Sequence, residues 1–184
     1  MFLPYGTGVL LVRDPKALER AHATEASYLQ DVAAAAGQTN FTDLSPELSR
    51  DFRGLRVWLP LVVHGVQSFR AALEEKLALT RHAAERIAAE PLFRLVDRPQ
   101  LSIVAFVAQP PSGDADAFGE EVLRRVNARR RVFLSSTRHE GRYVLRICTV
   151  SFRTHQDRID EAVDALIEEA QTLAAGLPKG RAPA

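Results

Sequence analysis

The sequence holds a single cysteine, Cys148, in 184 residues. One thiol cannot build an internal disulfide framework or a multi-cysteine zinc site, and it suits a reducing, cytoplasmic setting. Lysine is nearly as scarce: Lys16, Lys76 and Lys179 stand against 21 arginines, a bias that accompanies GC-rich bacterial genomes. Neither sign of charge is in surplus, with 24 basic and 23 acidic side chains. A general attraction to nucleic acid or to an anionic membrane is therefore not expected. No run approaches the roughly 20 apolar residues of a membrane-spanning helix. The start carries no basic region and no apolar run of signal-peptide length. A Gly-x-Ser-x-Gly elbow, a Gly-rich phosphate loop ending in Lys-Ser/Thr and a dinucleotide fingerprint are also missing. Tyr5-Gly6-Thr7-Gly8 precedes a strand-like run instead of following one, the wrong order for such a fingerprint. His22, His64, His82, His139 and His155 show no metal-ligand spacing, so they read as surface or helix-end histidines and no metal site is expected.

What is present is ordinary globular material, 46% apolar and 26% charged. The length allows one domain, or one and a piece of another. The chain opens at full hydrophobicity with no polar lead-in. Gly8–Arg13 predicts a strand buried on both faces. Asp14-Pro15 predicts a helix start, with Asp14 as N-cap, running to about His22. Residues 23–49 are polar and turn-rich around Ala33–Gly37 and Ser45-Pro46, a long connection of the kind that serves function. Residues 50–64 mix arginines with apolar residues and predict a partly buried helix, bent or broken at Pro60. Val66, Phe69, Leu73, Leu77, Thr80, Ala84 and Ile87 have helical spacing up to Pro91.

The remainder alternates. Phe93–Asp97 and Leu101–Ala108 predict strands. Asp116–Arg130 predicts a helix with Phe118, Val122, Leu123 and Val126 on one face. Val132–Thr137 and Arg142–Ser151 predict strands joined through His139-Glu140-Gly141. Thr154 and Asp157 resemble a capping box for a last helix, buried through Ile159, Val163, Leu166, Ile167, Ala170 and Leu173 and stopped by Gly176 and Pro178. Strand-strand-helix-strand-strand-helix over 91–175 implies an α+β layer, an antiparallel sheet covered on one face by helices.

Few side chains suggest chemistry by spacing alone. Arg124, Arg125, Arg129, Arg130 and Arg131 form a basic cluster. It lacks interleaved aromatics and reads as a solvated helix end complementing the dipole. Cys148, between Ile147 and Val150, reads as a small buried hydrophobe. Tyr28 lies in the long connection. It is open to two readings, a proton donor on a closing lid or an aromatic plug anchoring a loop.

Phe2-Leu3-Pro4-Tyr5-Gly6-Thr7-Gly8, Ser27-Tyr28-Leu29, Ser49-Arg50-Asp51-Phe52-Arg53-Gly54-Leu55-Arg56-Val57-Trp58 and His64-Gly65 occur in this order. With Leu145-Arg146 and the Ser151-Phe152-Arg153-Thr154 exit, the series resembles the C-terminal part of the group II pyridoxal-phosphate-dependent amino-acid decarboxylases, of the aromatic-L-amino-acid type. The resemblance covers essentially the whole chain. The Arg-rich segment through Trp58 is its most specific part.

The resemblance implies the C-terminal part of a cytoplasmic, homodimeric fold-type-I enzyme, α/β in its large domain and α+β in its small one. Residues 1–55 would end the large cofactor domain and include a catalytic loop at about 23–49. Residues 56–184 would form the small α+β domain. The implied cofactor is pyridoxal 5'-phosphate, held by a lysine, and the implied substrate is an L-amino acid, with aromatic ones favoured. Tyr28 aligns with the family's loop tyrosine, which protonates the substrate carbon after carbon dioxide leaves. Relatives with phenylalanine there tend toward aldehydes. Tyr5 and Thr7 align near the cofactor. Asp51 stands where the family often has a second arginine, so the roles of Arg50 and Asp51 stay open.

The family's lysine would lie upstream of Met1, which is then expected to be an internal point of the enzyme. The three lysines do not replace it, since Lys16 sits in a first helical turn, Lys76 on a solvated helix face and Lys179 in the tail. The 184 residues alone are therefore expected to be inactive. The alternative is a non-catalytic dimerisation or binding remnant of such an enzyme. An unrelated small α+β enzyme finds no second constellation to support it.

Overall fold

Hydrophobic periodicity and backbone pairing build the second half of the chain into one layer. The computed structural model describes residues 2, 6–22, 41–47 and 49–177. The chain divides into two units, Leu3–Gly65 and Val66–Ala184, the latter joined by Met1–Phe2.

In the Leu3–Gly65 unit, Asp14 opens helix α1 (Pro15–His22) as its side chain dictates. Its Oδ1 accepts from the Lys16 amide at 3.0 Å, filling one of the orphan donors of a helix start. The run Val9–Val12 is not the buried strand its composition predicts. It has no strand pairing, and Leu11 is 91% exposed. Apolar content makes a strand only where a neighbouring edge takes its N–H and C=O groups, and no edge among the described residues does so. A short 3-10 turn covers Phe41–Leu44. Helix α2 (Arg53–His64) continues past Pro60, so the break is not realised; it is partly buried, with Arg56, Val57, Pro60 and Leu61 half-buried and no residue fully so. Most of the predicted 23–49 connection lies outside the described residues.

The Val66–Ala184 unit carries helix α3 (Val66–Ala89), strands β1 (Phe93–Leu95) and β2 (Ile103–Ala108), helix α4 (Ala115–Ala128), strands β3 (Ser135–His139) and β4 (Arg142–Cys148), and helix α5 (Gln156–Ala175). The sheet order is β1-β2-β4-β3, antiparallel throughout. This is the α+β layer the pattern implies. β3 and β4 turn through Glu140 and Gly141, both at positive φ (50° and 78°), the geometry that matches strand twist in a two-residue hairpin.

Helix faces meet sheet residues in one cluster that includes Ala83 and Ile87 of α3, Phe106 and Leu145 of the sheet, Val122 of α4 and Leu166 of α5. Phe93 stands edge-on to Phe106 at 5.3 Å. α4 approaches closely at Gly119, where a Cβ would lie 3.4 Å from the Tyr143 ring. Its N-cap Asp114 accepts from the Asp116 and Ala117 amides at 2.8 and 3.3 Å.

Four local expectations change. β3 starts at Ser135, not Val132, because the Asn127 amide takes both backbone groups of Leu134 (3.0 and 2.9 Å). Paired with Asn127, Leu134 has no free groups for β4. α5 is capped by His155, not Thr154, and without a side-chain cap bond. The His155 ring instead meets Glu75 Oε1 at 2.7 Å. Lys76 is 2% exposed, not solvated. Its Nζ donates to Glu75 Oε2 at 2.8 Å and to the Thr154 carbonyl, contacts that satisfy the ammonium out of water. Cys148 is only half-buried and accepts from Arg146 Nη2 at 3.4 Å.

The basic cluster after residue 123 is tied down as well as solvated. Arg124 and Arg125 share Glu121, Arg129 spans Glu168 and Glu169, and Arg131 reaches Glu161.

Candidate functional site

Three residues carry the sequence's proposal for a site: Tyr5, Thr7 and Tyr28. Tyr5 and Tyr28 lie outside the described residues, so the structure locates only Thr7. Thr7 follows Gly6, whose φ of +83° belongs to the left-handed region that glycine adopts without strain. The Thr7 hydroxyl is shielded from solvent and has no hydrogen-bond partner. A buried polar atom without a partner costs about 1–3 kcal/mol, so it marks a place where an acceptor oxygen is wanted. A phosphate or carboxylate oxygen supplies one.

Gly6 is also close to α2. A Cβ built on it would lie 3.6 Å from Arg56 Nη1, an ordinary contact, so the dihedral and not space makes glycine the residue here. Arg56 in turn pairs with Asp51 at 3.1 Å. Asp51 therefore holds an arginine.

The segment before α2 is laced by the other two arginines of the motif. Arg53 grips both Glu47 carboxylate oxygens through its Nη1 and Nη2, at 2.8 and 3.1 Å. That hydrogen-bonded carboxylate raises the Arg53 pKa above its ordinary value. Arg50 donates to two backbone carbonyls, those of Phe41 and, at 3.1 Å, Glu47. The planar fork of arginine suits both tasks. Arg50, Arg53 and Arg56 thus shape the 41–52 segment, and this is their visible work. Glu47 is the bracing residue that sequence reasoning passes over. Its only signal is an acidic side chain six residues before Arg53, in a stretch otherwise read as loop.

Chemically, the described part of this unit offers one unpaired hydroxyl donor on a glycine-flanked turn and a separate segment braced by arginines before α2. Among the described residues no group of three His, Cys, Asp or Glu side chains could hold a metal ion. None of their helices is long and apolar enough to cross a membrane.

Comparison with known proteins gives this arrangement a context. A family model described as "Pyridoxal-dependent decarboxylase conserved domain" matches residues 1–109. Tyrosine decarboxylase 2 of Arabidopsis thaliana is 31% identical over 157 residues, covering 83% of this chain and 29% of that protein. Aromatic-L-amino-acid decarboxylase of Bacillus atrophaeus is 29% identical over 177 residues, 92% of this chain and 37% of that one. The chain thus spans about a third of the length of the curated relatives it matches. Among solved structures, Oryza sativa TDC with PLP and tryptamine superposes with a TM-score of 0.76 at 22% identity, over 89% of this chain and 35% of that one. That likeness establishes the shared fold.

Proposed function

The chain belongs to the pyridoxal-dependent decarboxylase family, and on that premise we propose that it is the C-terminal portion of a carboxy-lyase acting on aromatic L-amino acids with pyridoxal 5'-phosphate. The observation that carries this reading is the family match over residues 1–109, which includes the turn bearing Thr7. The names of the two curated relatives supply the aromatic substrate class. The unpaired Thr7 hydroxyl supports a bound oxyanion near that turn.

Bound pyridoxal phosphate supplies an electron sink for the charge left on the substrate carbon when carbon dioxide departs. The remaining work falls to the chain's own residues. Thr7 donates its hydroxyl hydrogen to an oxygen of the cofactor or substrate. Gly6 keeps the backbone in the conformation this requires. Tyr5 is assigned to the surroundings of the cofactor, as the family pattern implies. Tyr28 holds a proton on its phenolic oxygen and delivers it to the substrate carbon, while the 23–49 segment excludes water. Residues 1–55 end the large domain and 56–184 form the small one, in a cytoplasmic, bacterial homodimer.

The lysine that holds the cofactor is assigned to a part of the protein outside these 184 residues. Lys76, the buried lysine among the described residues, already has its ammonium engaged by Glu75 and the Thr154 carbonyl. Titration of the 184-residue chain with pyridoxal phosphate is expected to leave the cofactor spectrum unshifted, and stoichiometric capture would refute this assignment.

The protein containing the segment, expressed whole, is expected to release carbon dioxide and an amine from an aromatic L-amino acid. If no amino acid is decarboxylated, the reading fails in favour of a non-catalytic remnant. Tyr28→Phe in that protein is expected to lower amine formation about a hundredfold and to raise aldehyde. Unchanged amine output would remove Tyr28 from the proton step.

A further inference from the structure

A cleft of about 460 Å³ lies in the Val66–Ala184 unit, lined by the 131–134 segment, the end of β4 and the start of α5. It has an identifiable cause. Asn127 takes both backbone groups of Leu134, so β3 pairs with β4 only from Ser135 onward. β4 continues to Cys148 without a β3 partner, and the gap stays open.

The lining combines an apolar part, of which Phe133 is the exposed member, with three guanidinium groups, Arg131, Arg146 and Arg158. Their partners differ. Arg131 Nε and Arg158 Nη1 divide one carboxylate, Glu161, at 2.7 Å each. Arg158 also stands 3.7 Å from the well-exposed Asp157. Arg146 has no carboxylate among the described residues. Its hydrogen bond goes to the Cys148 sulfur at 3.4 Å. A half-buried guanidinium carries five donors in a planar fork, and a thiol is a weak acceptor for one of them. The start of α5, with no side-chain cap bond at His155, adds its positive end at the same place.

We propose that this cleft binds a small molecule bearing a carboxylate on an apolar body, the carboxylate forked by Arg146 and the body resting on the exposed ring of Phe133. The volume suits such a ligand, since small-molecule sites span roughly 300–1,000 Å³. Arg131, Arg146 and Arg158 outnumber the two carboxylates beside them, Glu161 and Asp157, and keep the surroundings positive. This proposal is independent of the decarboxylase reading.

Phenylacetate titrated into the isotope-labelled chain is expected to give saturable amide shifts confined to residues around 131–135, 146–148 and 154–159. Arg146→Gln is expected to weaken binding about tenfold or more, the loss of one forked charge contact, and Arg146→Lys to fall between. If Arg146→Gln loses its dispersed spectrum, Arg158→Gln takes its place, with an expected loss of a few fold. Methyl phenylacetate, which lacks the charge, is expected not to saturate. Inorganic phosphate, which lacks the apolar body, is expected to bind more weakly at the same residues. No saturable shift, equal binding of the ester, phosphate as tight as phenylacetate, or an Arg146→Gln chain that binds unchanged would each overturn the proposal. So would a cleft closed to phenylacetate when the titration is repeated by calorimetry on the whole protein.

Discussion

At the residue scale, the buried polar side chains of the second unit show how one atom's satisfaction depends on another's. Thr80 and Thr149 are both fully buried. Thr80 Oγ1 donates to the Lys76 carbonyl at 2.7 Å and lies 2.9 Å from Thr149 Oγ1. A hydroxyl has one hydrogen, so Thr149 must be the donor of that second bond. The two deletions are then unequal. Thr80→Val strands the Thr149 hydroxyl in the core and is expected to cost about 2 kcal/mol. Thr149→Val leaves Thr80 bonded to its carbonyl and is expected to cost under about 1 kcal/mol. The double variant, with no stranded group, is expected to be no less stable than Thr80→Val alone. Urea unfolding of the three variants checks this, and simple additivity would contradict the donor assignment. The same scale explains why Lys76 is misread from sequence. Its burial depends on a carbonyl 78 residues away, and Glu74-Glu75 beside it suggests only a solvated face.

At the element scale, α2 stands apart. Leu55, Trp58, Leu59, Val62 and Val63 follow the spacing of one helical face, and all are exposed. A twelve-residue helix with an interior proline and no buried side chain draws little stability from packing, and short helices are marginal in water without it. Its amides are therefore expected to exchange with solvent far faster than those of α3 and α5, whose buried faces join the core. Trp58, the sole tryptophan and 59% exposed, reports on the same element. Its fluorescence is expected to be water-like and readily quenched by acrylamide. A blue, protected emission from the 184-residue chain would contradict the exposure of α2. The sequence signals α2 and the other helices through spacing, because periodicity is local. It misplaces the Val9–Val12 run, because burial needs a partner that periodicity does not name. The start of β3 is misplaced for a related reason, since an Asn127 side chain outcompetes strand pairing.

At the scale of the whole molecule, the α+β layer is legible because each strand and helix announces its buried face in order. The site is less so. Thr7 carries a shielded hydroxyl without a partner among the described residues, and neither periodicity nor spacing names what would meet it. Ion pairing across the layer was likewise invisible in a balanced composition, and it sets the response to acid. The Glu121 carboxyl, hydrogen-bonded first by Arg124 and then by Arg125, is pulled down from 4.5 to about 2. Glu75 is lowered chiefly by Lys76, Asp160 by His82 and then Arg86, and Glu161 by Arg131 and then Arg158. A carboxylate whose pKa is depressed by folding binds fewer protons folded than unfolded. Its contribution is complete above the unfolded value and fades as pH falls through the folded one. Stability of the second unit is therefore expected to hold level from neutral pH to about 5 and to decline between about pH 4.5 and 2. The contribution of Glu121, an exposed pair, is expected to shrink in high salt. Arg86→Gln removes a partner of Asp160 and Asp164 across α3 and α5. It is expected to lower the melting temperature at pH 7 by more than at pH 2, where the carboxylates are largely protonated. Thermal unfolding of both chains at the two pH values decides it, and an equal loss at both would mean that Arg86 acts through packing alone.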